Sequence, residues 1–317
     1  MIKENIQLND YTHYKIGGPA RYFLEVSSTE ELIGGLKDWH AISTDLPPEA
    51  RKRFVLGSGT NLLVDDRGYN GLIIRNSIKF KNRDGNEVVF GGGLLFQEAI
   101  DFCIENSLSG IEWAGGLPGT VGGAVRGNAG AFGGETKDTV LEVESINLTT
   151  TNTIVRNNHE CRFAYRHSIY KTDAAKDELI TSAKFSLTPG NKEEIERIAN
   201  EKIAYRNSRQ PLRYPSAGST FKNIDCAKAP ADLVKKSADV IKNDPFPVIP
   251  VAHLLSECDL KGKSVGGAMI SDMHPNFIVN TGNATASDIM SLIKMAQAAV
   301  QSKFNVSIEP EIMYLEY

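Results

Sequence analysis

The chain has 317 residues, 41% of them hydrophobic and 23% charged, with a formal net charge of −4. That length allows two or three domains with real cores, and the composition is that of an ordinary folded protein. No Lys/Arg block stands out, so the basic stripe of a nucleic-acid binder is missing. The N-terminal MIKENIQLND is charged from the start and has no apolar core for a secretory signal. The longest apolar stretch, Phe246 to Leu255, is broken by prolines and too short to span a bilayer.

In chain order, Arg21–Val26 reads as a strand, and Ser28 or Thr29 caps a short helix through Leu36. His40–Lys52, with Pro47-Pro48, reads as a loop, followed by strand-like runs at Arg53–Leu56, Leu72–Arg75 and Glu87–Phe90. Phe96–Asn106 is an amphipathic helix with Ala99, Ile100 and Cys103 on one face. Thr139–Leu148 predicts a strand, because Leu141 and Val143 alternate with Glu142 and Glu144, and Leu179–Leu187 reads similarly. Asn191–Arg206 has helical periodicity through Ile195, Ile198, Ala199 and Ile203. Ile224–Pro250 is irregular and proline-bearing. A capping box at Thr285 to Asp288 opens a last helix, and Val306–Leu315 has a strand pattern interrupted by Pro310.

Cys103, Cys161, Cys226 and Cys258 are scattered, and the six histidines form no close pair, so no metal site is expected. The thiols read as reduced and structural, in keeping with a cytoplasmic protein.

Residues 115–134, GGLPGTVGGAVRGNAGAFGG, contain nine glycines in twenty positions. No packed helix or central strand suits that density, but bare backbone can bring many amides against a diphosphate. A second glycine segment, Gly57-Ser58-Gly59-Thr60-Asn61, follows directly on the strand Arg53–Leu56. Either segment alone reads equally well as a flexible turn; the two together favour nucleotide or dinucleotide binding. The GxGxxG fingerprint is absent, since Leu62 stands at the third glycine position. Gly262-Lys263-Ser264 imitates the end of a P-loop, but Glu257 occupies the position of its first glycine.

Lys15-Ile16-Gly17-Gly18-Pro19-Ala20, Gly57 to Leu63, Gly119-Thr120-Val121-Gly122-Gly123-Ala124 and Asn128-Ala129-Gly130-Ala131-Phe132-Gly133 occur in this order. Phe163-Ala164-Tyr165-Arg166-His167-Ser168, Ala217-Gly218-Ser219-Thr220-Phe221-Lys222-Asn223, His274 to Asn280 and Ile308-Glu309-Pro310-Glu311 follow. The series resembles the UDP-N-acetylenolpyruvoylglucosamine reductases over almost the whole chain.

The resemblance implies an α+β chain with a FAD-binding fold of the vanillyl-alcohol oxidase type, built from two α/β subdomains, plus a smaller α/β substrate-binding domain. We place these at residues 1–75, 76–205 and 206–317. It implies non-covalent FAD, reduced by NADPH, which then reduces the enolpyruvyl ether of UDP-N-acetylenolpyruvoylglucosamine to the lactyl ether of UDP-N-acetylmuramate. Cofactor contacts are expected from Gly57, Ser58, Gly59, Thr60, Asn61, Leu62, Gly119, Thr120, Gly122, Gly123, Asn128, Ala129 and Gly130.

By the same match, Arg166 and Glu311 stabilise the negative charge that hydride delivery places on the substrate's carboxylate side, and Ser219 donates the proton to the second carbon. Glu311 can donate a hydrogen bond only in its neutral form, which burial beside the flavin favours. Tyr165, Lys222, Asn223 and His274 are expected to contact the substrate, and the partners implied are this small molecule alone, in a monomer or weak homodimer. Taken singly, Arg166 reads as a surface arginine, Ser219 as a turn serine and Glu311 as a solvated edge-strand residue. Their collinear motif context reverses those readings.

The short interval from Arg166 to Ser219 leaves no room for the tyrosine-bearing lid of one subgroup, so the chain resembles the subgroup lacking it. The segment 224–250 looks longer than the family's usual connection, and Asp259 stands where many relatives carry glycine. Another FAD-dependent oxidoreductase of this fold, acting on an alcohol or sugar, would share the FAD loops without needing the serine motif and Pro310-Glu311 together. A non-catalytic nucleotide-binding module would not need Arg166, Ser219 and Glu311 intact.

Overall fold

The computed structural model describes residues 1–317. They form two compact units, residues 1–5, 21–58 and 70–206 in one, residues 6–20, 59–69 and 207–317 in the other.

The first unit is built on two sheets. One has the order Lys3–Gln7, Pro19–Val26, Tyr69–Asn76, Arg53–Leu56. Its last two strands are parallel, with Arg53 opposite Leu72 and Leu56 opposite Arg75. The helix Thr29–Ser43 covers this sheet, burying Leu32, Leu36 and Trp39 with Leu24, Leu72 and Ile74. It starts as its sequence predicts: Ser28 Oγ accepts from Glu31 N, while the Glu31 carboxylate accepts from Ser27 N at 2.7 Å. Gly35 permits the close approach, since a Cβ there would lie 2.4 Å from Leu24 Cδ2. The helix runs on past Leu36 because Trp39 extends its buried stripe, so the expected loop begins only after Ser43.

The second sheet has the order Thr153–Asn157, Val140–Asn147, Glu178–Ser186, Glu87–Gly91, Lys81–Asp84, antiparallel throughout. The alternation expected from Leu141 is broken. A register shift between Val140 and Glu142 turns Leu141 outward, 37% exposed, while Val140 and Val143 are buried. An extra residue in one strand reverses the phase of every side chain before it. The helices Phe96–Glu105 and Val121–Gly127 share a core with this sheet, including Phe90, Phe96, Ile100, Val121, Val125 and Phe185. The helix Lys192–Arg209 follows. Its buried stripe is Ile195, Ala199 and, at its end, Arg206.

In the second unit the helices Val251–Glu257 and Ala286–Phe304 pack with a small antiparallel sheet of Ser264–Val265, Ala268–Ile270 and Ile278–Asn280. Thr285 caps the long helix through Asp288 N, as its sequence predicts. Asp66 adds a second cap, accepting from Ala286 N at 2.8 Å and Ser287 N at 3.3 Å. The irregular segment 224–250 holds the short helix Ala231–Lys236 and a three-stranded sheet of Ile224–Asp225, Pro247–Ile249 and Lys242–Asn243. At the C-terminus only Met313–Leu315 forms a strand, parallel to Leu62–Val64, because Pro310 cannot donate to a ladder. No helix is long and apolar enough to cross a membrane.

Candidate active site

Within the first unit Gly57 meets the glycine-rich segment 115–134. A Cβ on Gly57 would lie 2.9 Å from Thr120 Oγ1, so the strand Arg53–Leu56 delivers its turn against the start of the helix Val121–Gly127. Thr120 caps that helix, accepting from Gly123 N at 3.2 Å. Neighbouring amides are engaged as well: Val121 N donates to Leu94 O and Gly122 N to Gly92 O. Gly122 and Gly123 therefore serve close packing and capping, and their amides are not open to an anion. The first segment is different. The amides of Ser58, Gly59 and Thr60 donate to no protein acceptor. Ser58 Oγ is buried without a hydrogen-bond partner. Gly59 takes φ +68°, and a Cβ there would lie 2.2 Å from Tyr11 O, so only glycine fits. An orphaned buried hydroxyl beside a run of open amides is a cradle for a phosphoryl group, and these residues fit a dinucleotide cofactor.

Asn128 is wholly buried and caps the helix Val121–Gly127 in the left-handed region. Its Nδ2 donates to Glu135 Oε1 and to Ala164 O, both at 3.1 Å, and its Oδ1 accepts from Lys137 N at 3.0 Å. Ala129 and Gly130 pair with Thr136 and Glu135. This segment is thus knitted to itself, and the Asn128 side chain faces the turn that carries Arg166. In that turn Ala164 and His167 exchange two backbone hydrogen bonds, of 3.1 and 3.0 Å. Arg166 sits at the tip with φ +54°, and its guanidinium lies 5.1 Å from the centroid of the Tyr165 ring. A left-handed arginine costs about 1 kcal/mol or more and persists only where its surroundings hold it. The holders are Asn128 on Ala164 O, Lys171 Nζ on Arg166 O at 2.7 Å, and Ser168 Oγ on Arg126 O at 2.7 Å.

Ser219 and Glu311 come together within the second unit. Thr220 N donates to Asn276 O at 2.7 Å, and Glu311 N donates to Thr220 O at 2.8 Å. Asn276 clamps Phe221 on both sides, its Oδ1 accepting from Phe221 N and its Nδ2 donating to Phe221 O, each at 2.9 Å. Phe221 also bridges to Pro310. The serine segment is therefore laid between residues 276–280 and the Glu309–Glu311 run, and Gly218 at φ +76° turns the chain into Ser219. Asn61 Nδ2 donates to Glu311 O at 3.0 Å. Tyr14 lies fully buried beside Ala217 and Thr220, where burial raises its hydroxyl pKa.

The residues expected to meet substrate are less uniform. Lys222 Nζ is paired with Glu309 Oε1 at 2.5 Å, and Asn223 Oδ1 accepts from Val251 N at 3.2 Å, capping the helix Val251–Glu257. His274 packs edge-on against Phe277, its Nδ1 buried without a partner. Burial, then Lys242 and Lys261, lower its pKa, which favours the neutral ring. Asn276 lies in the His274 to Asn280 motif, but its clamp on Phe221, 55 positions away, and the bond from Lys171 to Arg166 O are not written in residue type.

The four cysteines are free and no cluster of three or more metal-ligating groups occurs. Residues 47–156 match the FAD binding domain family, which makes this chain a flavoprotein of mixed α and β structure. Residues 210–315 match the C-terminal domain of UDP-N-acetylenolpyruvoylglucosamine reductase. The reductase of that name from Caldanaerobacter subterraneus subsp. tengcongensis is 36% identical, over 97% of this chain and 91% of the relative. That of Caldicellulosiruptor bescii is 37% identical, over 97% and 88%. The crystal structure of the reductase from Thermus caldophilus superposes with a TM-score of 0.75 at 32% identity, covering 99% of both chains. The chain belongs to the UDP-N-acetylenolpyruvoylglucosamine reductase family.

Proposed function

We propose that this chain reduces the enolpyruvyl ether of UDP-N-acetylenolpyruvoylglucosamine, with NADPH as reductant, to give UDP-N-acetylmuramate for peptidoglycan precursor synthesis. The observation that carries the reading beyond family membership is the bond from Glu311 N to Thr220 O, which sets the glutamate beside the residue that follows Ser219. When bound, FAD supplies a two-electron carrier that accepts hydride from NADPH and passes it to the enol ether.

The chain's own residues do the rest. Ser58 Oγ and the open amides of Ser58 to Thr60 hold phosphoryl oxygens of the cofactor, with Gly57, Gly119 and Thr120 forming the close-packed wall beside them. Asn61 and Leu62 belong to this loop by their backbone. Arg166 and Glu311 clamp the substrate carboxylate and stabilise charge as it develops there, the largest kind of catalytic contribution. Ser219 Oγ gives its proton to the second carbon, so that hydride and proton together saturate the double bond. General acid catalysis of this sort contributes roughly 10²–10⁴ in rate. Tyr165 orients Arg166 through its ring, and His274, with its open Nδ1, contacts the sugar nucleotide. Lys222 meets the substrate by exchanging Glu309 for it.

The chain acts in the cytoplasm, where its product feeds the wall growth on which cell shape and division depend. It belongs to the subgroup without the tyrosine-bearing lid. The test is spectroscopic. Purified protein should show a flavin spectrum that NADPH bleaches and that the enolpyruvyl sugar nucleotide restores without oxygen. Ser219→Ala should keep the bleaching and lose most of the recovery. Recovery at the wild-type rate would remove Ser219 from its role.

A further inference from the structure

The first unit holds a half-buried arginine, Arg156, and a buried arginine, Arg206, and the fold treats them differently. Arg156 is matched by Glu178, its two amino groups lying 2.6 and 2.9 Å from the two carboxylate oxygens. Arg206 has no such partner. It is 7% exposed, on the buried stripe of the helix Lys192–Arg209. Its Nε donates to Gly115 O at 2.9 Å, and one amino nitrogen, Nη2, is buried without any acceptor. No carboxylate pairs with it, and burial depresses its pKa.

What surrounds Arg206 is the glycine-rich segment 115–134. Gly116, at φ +73°, would place a Cβ 3.2 Å from Arg206 Cδ. The guanidinium lies 5.3 Å from the centroid of the Phe132 ring, and Lys202 Nζ lies 5.0 Å from the same centroid. A second orphan donor borders the segment: Trp113 Nε1 is buried without a partner, and its ring packs against Gly134. A buried guanidinium with an unused donor and a second cation nearby gains stability when an anion completes it. The planar fork of arginine suits a phosphoryl group.

We propose that Arg206 binds a phosphoryl oxygen of a nucleotide diphosphate, which arrives as its missing counter-ion. Two diphosphates qualify, that of FAD and that of the sugar nucleotide, and the proposal rests on the functional reading above. Arg206→Met is compared with wild type in three measurements. Affinities for FAD and riboflavin are read on apoprotein by flavin fluorescence, affinity for UDP by calorimetry on FAD-loaded protein, and melting on ligand-free protein. A loss of roughly 10- to 100-fold for FAD, with riboflavin unchanged, assigns the cofactor diphosphate. A comparable loss for UDP alone assigns the substrate diphosphate.

The ligand-free variant should melt no lower than wild type, because an uncompensated buried charge has been removed. Lower melting with both affinities unchanged would make Arg206 a structural residue and overturn the proposal. If Arg206→Met does not fold, Arg206→Lys, which keeps the charge and loses the fork, should show the same loss in smaller measure; unchanged affinities there overturn it equally. Wild-type protein that binds neither FAD nor UDP would overturn the functional reading, and this inference with it, whatever the variants do.

Discussion

Asn61 and Glu311, far apart in sequence, are joined by a hydrogen bond of 3.0 Å from the asparagine side-chain amide to the glutamate carbonyl. Met313 N returns a bond to Asn61 O at 3.1 Å. The loop expected to hold the cofactor therefore also fixes the backbone of the residue expected to clamp the substrate. Replacing Asn61 with alanine should misplace Glu311 as well as disturb the loop. We expect substrate-dependent flavin reoxidation to slow by roughly 10- to 100-fold, as small misplacements of catalytic groups do. Unfolding free energy should fall by about 1 kcal/mol. Stopped-flow reoxidation at the wild-type rate would show that the bond does not position Glu311.

Lys171 is the second positioning residue. Its ammonium accepts the burden of holding a left-handed arginine by donating to Arg166 O at 2.7 Å. Lys171→Met should raise KM for the sugar nucleotide and slow the reoxidation step by about tenfold, while reduction by NADPH proceeds as before. Lys171→Arg, which keeps a cationic donor, should restore most of the loss. Equal effects on both half-reactions would point to general destabilisation instead.

Much of this architecture was legible in the sequence. The Thr285 cap stands where the pattern predicts it because its partner Asp288 is local, and the strand Arg53–Leu56 because its apolar run suits the parallel pairing with Leu72–Arg75. Leu141 misled because a bulge is set by the partner strand, which alternation within one strand does not encode. The site was legible by motif order but not by bonding. Residue type says that Asn61, Asn128, Asn223 and Lys222 can reach a ligand. Only long-range pairing reveals that Glu311, Ala164, Val251 and Glu309 already engage them. Conversely, Arg206 is buried by Gly115 and Gly116, far from it in the chain, which the sequence of its own helix does not encode.

Asn128 gives a stability test that separates a clamp from a ligand contact. Alanine there would leave Lys137 N without its acceptor and take one of two donors from Ala164 O and one from the Glu135 carboxylate, which keep His167 N and Lys137 Nζ. Losing these bonds at a wholly buried position should lower unfolding free energy by about 1–3 kcal/mol. Chemical denaturation of ligand-free protein checks this, because a residue that only touched FAD would leave ligand-free stability unchanged.

The Asp65 cluster predicts how stability responds to pH at both ends. The Asp65 carboxylate receives Arg67 Nε at 2.9 Å and Tyr314 OH at 2.7 Å, and these bonds, the arginine's first, hold its pKa far below the ordinary carboxylate range. A depressed pKa contributes stability that is complete above the unfolded value of about 4 and is lost as pH falls below it. Tyr314 moves the other way. Burial, then its bond to Asp65, push its pKa up to about 12. That contribution is complete below the unfolded value of about 10 and is lost as pH rises from there towards 12. Asp65→Asn should therefore lower the melting temperature at neutral pH and flatten the acid limb, so that its gap to wild type narrows steadily as pH falls below about 4. Tyr314→Phe should flatten the alkaline limb and, by removing one of the bonds that hold Asp65 down, take a smaller part of the acid limb with it. Parallel melting curves for Asp65→Asn and wild type from pH 7 to pH 3 would show that Asp65 carries no linked proton, and that the strand Met313–Leu315 is held in place by its backbone pairing.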